Sequence, residues 1–129
     1  MIVVDASALF DMLTSWRSAS IEARLARSSA IHVPVTVDAE VLHALRKQTF
    51  TATFRQEHVD VVLSFLGGRA LTRHPVQPLG PRIWSLRHNV TTYDAAYVAL
   101  AESLDATLLT RDARLSRSSG HTARIEYIA

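Results

Sequence analysis

The chain contains no cysteine. Disulfides, thiolate–zinc sites and thiol catalysis are therefore excluded, and a cytoplasmic location is the expectation. Glycine is confined to Gly67, Gly68, Gly80 and Gly120, and neither a phosphate-cradling P-loop nor a GxGxxG turn can be built from them. The longest apolar runs, VVLSFL and YVALA, are too short to span a bilayer. No basic leader precedes the first apolar run, and Asp5 falls where an export signal would be apolar, so export is not expected. No Pro-rich or Gly/Ser-rich linker interrupts the 129 residues, which fit one domain spanning 1–129 with a single core.

Lysine is nearly absent too. Of 14 basic residues only Lys47 is a lysine, and arginine suits bidentate contact with phosphate. A GC-rich genome would give the same bias, and the net charge of +2 does not by itself identify a nucleic-acid binder.

What the chain does have is alternation. The run Ile2-Val3-Val4 predicts a buried strand, and ASALFDMLT a helix with Leu9, Met12 and Leu13 on one side. A second helix is expected over Ser18 to Ser28, with Ile21 and Leu25 inward. IHVP reads as a strand, followed by a helix over Val35 to Thr49 that buries Val37, Val41, Leu42 and Leu45. Another helix, Thr53 to Leu66, stops at Gly67-Gly68. ALTRHPV is an expected edge strand because Pro75 cannot donate to a ladder. LGPRIWSLRHN is a short helix, TTYDAAYVALAESLD a long one, TLLT a buried strand, RDARLSRS a short helix and ARIEYI the last strand. Strands alternating with helices predict a mainly parallel sheet covered on both faces, a three-layer α/β sandwich.

In such sheets ligands sit beyond the carboxyl ends of the strands. Four acids from four segments fall at that edge. Asp5 follows the first strand, Glu40 lies early in the helix after IHVP, Asp94 opens the long helix, and Asp112 ends the turn Thr110-Arg111-Asp112. Each could instead complement a helix N-terminus, and Thr91 with Asp94 resembles a capping box. Capping gives no reason for four to share one edge. Clustered carboxylates raise one another's pKa unless cations lie among them, and oxygen ligands suit Mg²⁺ or Mn²⁺.

Taken together, VVDASAL, PVTVDAEVLHALRK and TTYDAAYVALAESLDATLLTRDARL resemble a PIN domain across nearly the whole chain. Their size and order look like the toxin subunit of a VapBC-type toxin–antitoxin pair. The resemblance implies a four- or five-stranded sheet and a Mg²⁺-dependent endoribonuclease (Mn²⁺ being the alternative metal) that leaves 5′-phosphate and 3′-hydroxyl ends. It maps the metal-binding and catalytic acids onto Asp5, Glu40, Asp94 and Asp112, with Ser7 and Thr110 as supporting hydrogen-bonders. It also implies an RNA substrate, a homodimer and an antitoxin partner wrapping a groove near Leu9, Phe10, Leu13, Trp16 and the 35–49 helix. Some relatives carry a further acid after the Thr-x-Asp turn, where this chain has Ala113, Arg114, Leu115 and Ser116, so one metal or two is left open.

Rival chemistries fit less well. Glu40 and His43 form one Glu-x-x-His, whereas a di-iron bundle needs two. The other histidines, His32, His58, His74, His88 and His121, show no HExxH or paired spacing. A haloacid-dehalogenase-type phosphotransferase needs a second Asp where Ser7 stands. Phe50 and Phe54, four apart, are expected in the core or an interface. Arg111, Arg114 and Arg117 are candidates for RNA phosphate contacts or for a solvated helix face. The alternative to an enzyme is a catalytically inactive PIN-like module that binds RNA or protein.

Overall fold

Ile2, Val3 and Val4 are fully buried and form β1 (Ile2–Val4), the central strand of the sheet. A computed structural model of the chain describes residues 1–15 and 19–129. The remaining strands are β2 (Ile31–Pro34), β3 (Leu71–His74), β4 (Thr107–Thr110) and β5 (Arg124–Tyr127). They lie in the order β3-β2-β1-β4-β5, and every pairing is parallel. With three consecutive buried residues, β1 must be covered on both faces, which only a layered α/β arrangement provides. β3 lies at an edge, and Pro75 follows its last residue.

Among the described residues, seven α-helices flank the sheet: α1 (Ala6–Thr14), α2 (Ala19–Ala26), α3 (Val37–Gln48), α4 (Gln56–Gly67), α5 (Gly80–Ser85), α6 (Thr92–Leu104) and α7 (Ala113–Ser116). A 3₁₀ turn over Gln77–Leu79 precedes α5. Helix α6 packs across β1, β2 and β4 and against α5, while α1 packs on α2, α3 and α4. Every residue from Ala95 to Ala101 is buried. A helix that is apolar around its whole circumference belongs inside the fold, not on its surface. None of the helices is long and apolar enough to cross a membrane among the described residues.

Local chemistry moves several expected boundaries. Helix α3 begins at Val37, not Val35, because the Val35 N–H donates to the His74 carbonyl (2.9 Å) and prolongs the sheet ladder. Helix α4 begins at Gln56, not Thr53. The Thr51 and Thr53 hydroxyls pair at 2.8 Å and the Phe54 N–H turns back to the Thr51 carbonyl, which competes with helix formation there. On α3 the buried stripe is Val37, Val41 and Leu45, spaced by four; Leu42 lies beside that stripe and is 40% exposed, contrary to expectation. Phe50 is 74% exposed, outside the core, with the Arg46 guanidinium 5.3 Å from its ring centre. The apolar segment LGPRIWSLRHN yields helix only to Ser85, and turns carry the chain to Asn89. Trp16 and Ser18 lie outside the described residues.

One ionic clamp fixes the α7–β5 connection. Arg82 on α5 holds both carboxylate oxygens of Glu102 on α6, at 2.8 and 2.9 Å. Glu102 also accepts from the Thr122 N–H (2.9 Å) and the Thr122 hydroxyl (3.0 Å). Gly120, at φ +90°, lies against Asn89, and a Cβ there would meet the Asn89 side chain at 2.6 Å. Any other residue would therefore be strained in backbone and blocked in space.

The hydrogen bonds from Arg82, opposed by burial and aided by Thr122, hold the Glu102 carboxyl down at about 2. Because the folded-state pKa is depressed, this stabilisation is present above the unfolded value of about 4.3 and is lost as pH falls toward the folded value. Glu102→Gln is expected to cost about 2 kcal/mol at pH 7. Urea denaturation at pH 7 and pH 3 checks this: the gap between wild type and variant should shrink at the lower pH.

Candidate active site

The chain winds from β1 outward through β2 to β3 and then returns to place β4 on the other side of β1. The winding direction thus reverses between β1 and β4, and a crevice opens at the carboxyl ends of those strands. Asp5 leaves β1 there, and Thr110-Arg111-Asp112 leaves β4 there. The Asp5 N–H donates to the Leu109 carbonyl at 3.1 Å, so the two strand ends are held side by side.

Asp5 caps α1 and is only 4% exposed. Its Oδ1 accepts from the Ala8 N–H (2.9 Å) and the Ser7 hydroxyl (2.8 Å), and its Oδ2 accepts from the Thr110 hydroxyl. The Thr110 hydroxyl also accepts from the Asp112 N–H at 2.9 Å. Burial pushes the Asp5 carboxyl above its ordinary range against the pull of these hydrogen bonds, and the Asp94 charge adds to the rise. The N-cap and site interpretations of Asp5 are therefore compatible: one oxygen caps the helix while the other is held by β4.

Glu40 is oriented by a residue that sequence inspection missed. The Tyr97 hydroxyl donates to Glu40 Oε2 at 2.7 Å. Tyr97 lies three residues after Asp94 on α6, hence on the same face, and that spacing was the available signal. Burial raises the Glu40 carboxyl, the hydrogen bond from Tyr97 and the nearby Thr36 hydroxyl lower it, and the charges of Asp94 and Asp5 raise it. Burial and the neighbouring Glu40 charge push the Tyr97 phenol far up, so it stays a donor.

Asp94 sits in the first turn of α6, after Thr91, whose hydroxyl accepts from the Asp94 N–H at 3.3 Å. Burial raises its carboxyl, Thr91 opposes this, Asp112 raises it further and Arg114 lowers it. Asp112 caps α7 through Oδ1, which accepts from the N–H groups of Arg114 (2.8 Å) and Leu115 (3.3 Å). Asp5, Glu40 and Asp94 thus each feel at least one other acid of the set electrostatically. None of the four is ion-paired to a lysine or arginine among the described residues, while Asp11, Asp38, Glu102, Asp105 and Glu126 all are.

Asp94 and Asp112 line a cleft of about 550 Å³ with Arg87, His88, Asn89, Val90, Thr91, Arg114, Leu115 and Ser118. Glu40 lines a separate cleft with Ala39, His43 and Tyr93. Of the three arginines beside the acids, only Arg114 faces the first cleft. Arg111 turns toward α1, where its Nε lies 3.2 Å from Asp11 Oδ2. Arg117 is exposed and lies outside the cleft lining.

Among the described residues no three acidic or histidine side chains converge closely enough to enclose a metal ion. The donor chemistry nevertheless fits a hard divalent cation. The set is all oxygen, is half-buried or deeper, is in no ion pair among the described residues, and leaves Oδ2 of Asp112 with no hydrogen bond among them.

Comparison with known proteins agrees with this architecture. The PIN domain family model matches residues 2–120. Ribonuclease VapC12 of Mycobacterium tuberculosis is 38% identical over 130 residues, covering 100% of both chains. Ribonuclease VapC3 of the same organism is 43% identical over 119 residues, 91% of this chain and 86% of its own. A toxin–antitoxin complex from Klebsiella pneumoniae contains a chain that superposes with a TM-score of 0.67 at 18% identity, covering 91% of each. The chain belongs to the PIN-domain family, among the VapC ribonucleases.

The Thr110 hydroxyl serves two acids at once, donating to Asp5 and accepting from the Asp112 N–H. Thr110→Val keeps the shape but removes both bonds, and is expected to cost about 1–3 kcal/mol because buried partners are left unsatisfied. Thr110→Ser should retain most of that stability. Chemical denaturation of the two variants measures the difference.

Proposed function

We propose that this ribonuclease hydrolyses RNA phosphodiester bonds at the Asp5, Glu40, Asp94 and Asp112 site with Mg²⁺ or Mn²⁺, as the toxin of a toxin–antitoxin pair. The observation that supports the proposal is that Asp5, Glu40 and Asp94, from separate segments, feel one another's charge, that Asp112 acts on Asp94, and that none of the four is in an ion pair among the described residues. Such an arrangement stores repulsion that a divalent cation relieves.

In this scheme Asp5, Asp94 and Asp112 hold the cation directly or through water, and Glu40 completes the site or orients the attacking water. Ser7 and Thr110 keep the Asp5 carboxylate from rotating, and Tyr97 does the same for Glu40. When bound, the cation supplies charge neutralisation at the phosphate and eases deprotonation of water. Arg114 sits where it can meet a phosphate in the cleft.

The toxin assignment is supported by the VapC relatives and by the toxin–antitoxin complex with the same fold. An antitoxin that blocks the enzyme needs an apolar seat. A shallow groove lined by Leu13, Val61 and Phe65 between α1 and α4 offers one, with Leu63 also exposed on α4. In contrast Leu9 is core, and Phe10 borders a more polar cleft. A cytoplasmic homodimer completes the proposal.

Two experiments test it. Asp5→Asn should abolish Mg²⁺-dependent cleavage of total RNA while the circular dichroism spectrum stays that of the wild type. Expressed alone, the wild type should stop growth, the variant should not, and the neighbouring open reading frame should restore growth. Full RNA cleavage by Asp5→Asn would refute the site. Separately, Asp94→Asn should melt at a higher temperature than wild type in a chelator, because repulsion is relieved. Millimolar Mg²⁺ should raise the melting temperature of wild type alone; an equal rise in the variant would count against Asp94 as a ligand.

A further inference from the structure

Among the described residues Trp84 is the largest side chain left open by the fold, at 68% exposed, although its neighbours are anchored. Ile83 and Leu86 are buried in the core, so the turn that ends α5 cannot rotate Trp84 inward. Arg87, three residues on, lays its guanidinium 4.8 Å from the centre of the indole and donates from Nη1 to the Trp84 carbonyl at 3.0 Å. The guanidinium thus covers one face of the ring, and the remaining exposed surface is the other face and edge. Arg87 also lines the cleft that contains Asp94, Asp112 and Arg114, so the side chain that covers the indole belongs to the wall of the acidic cleft.

We infer that Trp84 and Arg87 form a binding subsite for single-stranded RNA, in which a base next to the cleaved phosphodiester stacks on the indole and Arg87 meets its phosphate. The inference rests on the nuclease function proposed above and adds a place where the substrate strand is gripped. The chemistry favours a nucleic-acid strand over an apolar protein partner. An indole backed by a cation presents a flat, electron-rich face to a base, and the residues that follow it, Arg87, His88 and Asn89, are exposed polar or basic groups. A cleft lined by carboxylates alone would repel a polyanion, and Arg87 with Arg114 supplies the opposing charge at its rim. Stacking tolerates any base, so the subsite contributes grip more than sequence choice.

The test uses the full chain with a fluorescein-labelled single-stranded RNA of mixed sequence in EDTA, where binding is read without cleavage. Trp84→Ala is expected to weaken binding by roughly 5- to 150-fold, the range that loss of one base–aromatic stack gives, and Trp84→Phe to recover most of it. Arg87→Ala should lower the salt dependence of binding by about one counterion. Unlabelled RNA should quench the fluorescence of a Trp16→Phe protein, in which Trp84 is the sole tryptophan. Binding by Trp84→Ala within twofold of wild type, with no quenching, overturns the subsite. A change of oligomeric state in Trp84→Ala by light scattering, with RNA binding kept, overturns it too and assigns the indole to a contact between copies. Cleavage of the same RNA by wild type in Mg²⁺ is scored separately. Trp84-dependent binding without cleavage supports the subsite and removes the nuclease proposal, and cleavage without Trp84 dependence does the reverse.

Discussion

The hydrogen bond from the Thr110 hydroxyl to Asp5 joins the ends of the two strands between which the sheet changes direction. Almost everything at the site hangs from it. Thr110 is completely buried, so its hydroxyl has to be satisfied inside the protein, and it is satisfied by the carboxylate that β1 delivers. The same oxygen receives the Asp112 N–H, which sets the turn into α7 and thereby aims the Asp112 carboxylate. One small side chain thus couples two acids that lie far apart along the chain.

Against that tether stands repulsion. Burial penalises each ionised carboxylate, and neighbouring charge adds to the penalty for Asp5, Glu40 and Asp94. A fold selected for stability alone would place a cation-bearing side chain among them or replace one with an amide. Here the ion pairs among the described residues lie elsewhere, clamping β3 to α3, α5 to α6, and the sheet edge to α2. The charge balance is local: the scaffold acids are held in ion pairs and the four acids of the crevice are not. That division is what a site built to receive a positively charged partner requires.

Much of this was legible before any coordinates. A strand that ends on Asp, a Thr-x-Asp turn and an Asp in the first turn of a long helix each tie a side chain to a backbone feature, and backbone features map onto a sheet edge. What failed to show was everything decided by one element meeting another. The Tyr97 hydroxyl on α6 reaches Glu40 on α3 across the fold, and no periodicity within either helix says so. Arg111 stands next to Asp112 in sequence yet turns away to Asp11, because the side chain that precedes Asp112 leaves the turn on the α1 side. Leu42 was expected to be buried because its hydropathy was read without the width of the stripe that α3 presents. Trp84 gave no signal either, since an aromatic between Ile83 and Leu86 looks like core until both neighbours have taken the inward positions.

The placement of β1 has a consequence for the order in which the molecule can assemble. The first strand made pairs with β4, Ile2 opposite Thr107, and Asp5 finds its hydroxyl partner 105 residues later. During synthesis at roughly 5–20 residues per second, the central strand waits for most of the chain with one edge unpaired. Contacts of such long sequence separation are the slow ones to form, because loop closure must be completed before they stabilise anything. Asp5 therefore has its Thr110 partner, and Asp112 its place beside Thr110, only once β4 has joined β1. Timing in this fold is a property of topology: the two strand ends that carry Asp5 and the Thr-x-Asp turn are joined only once β4 has paired with β1.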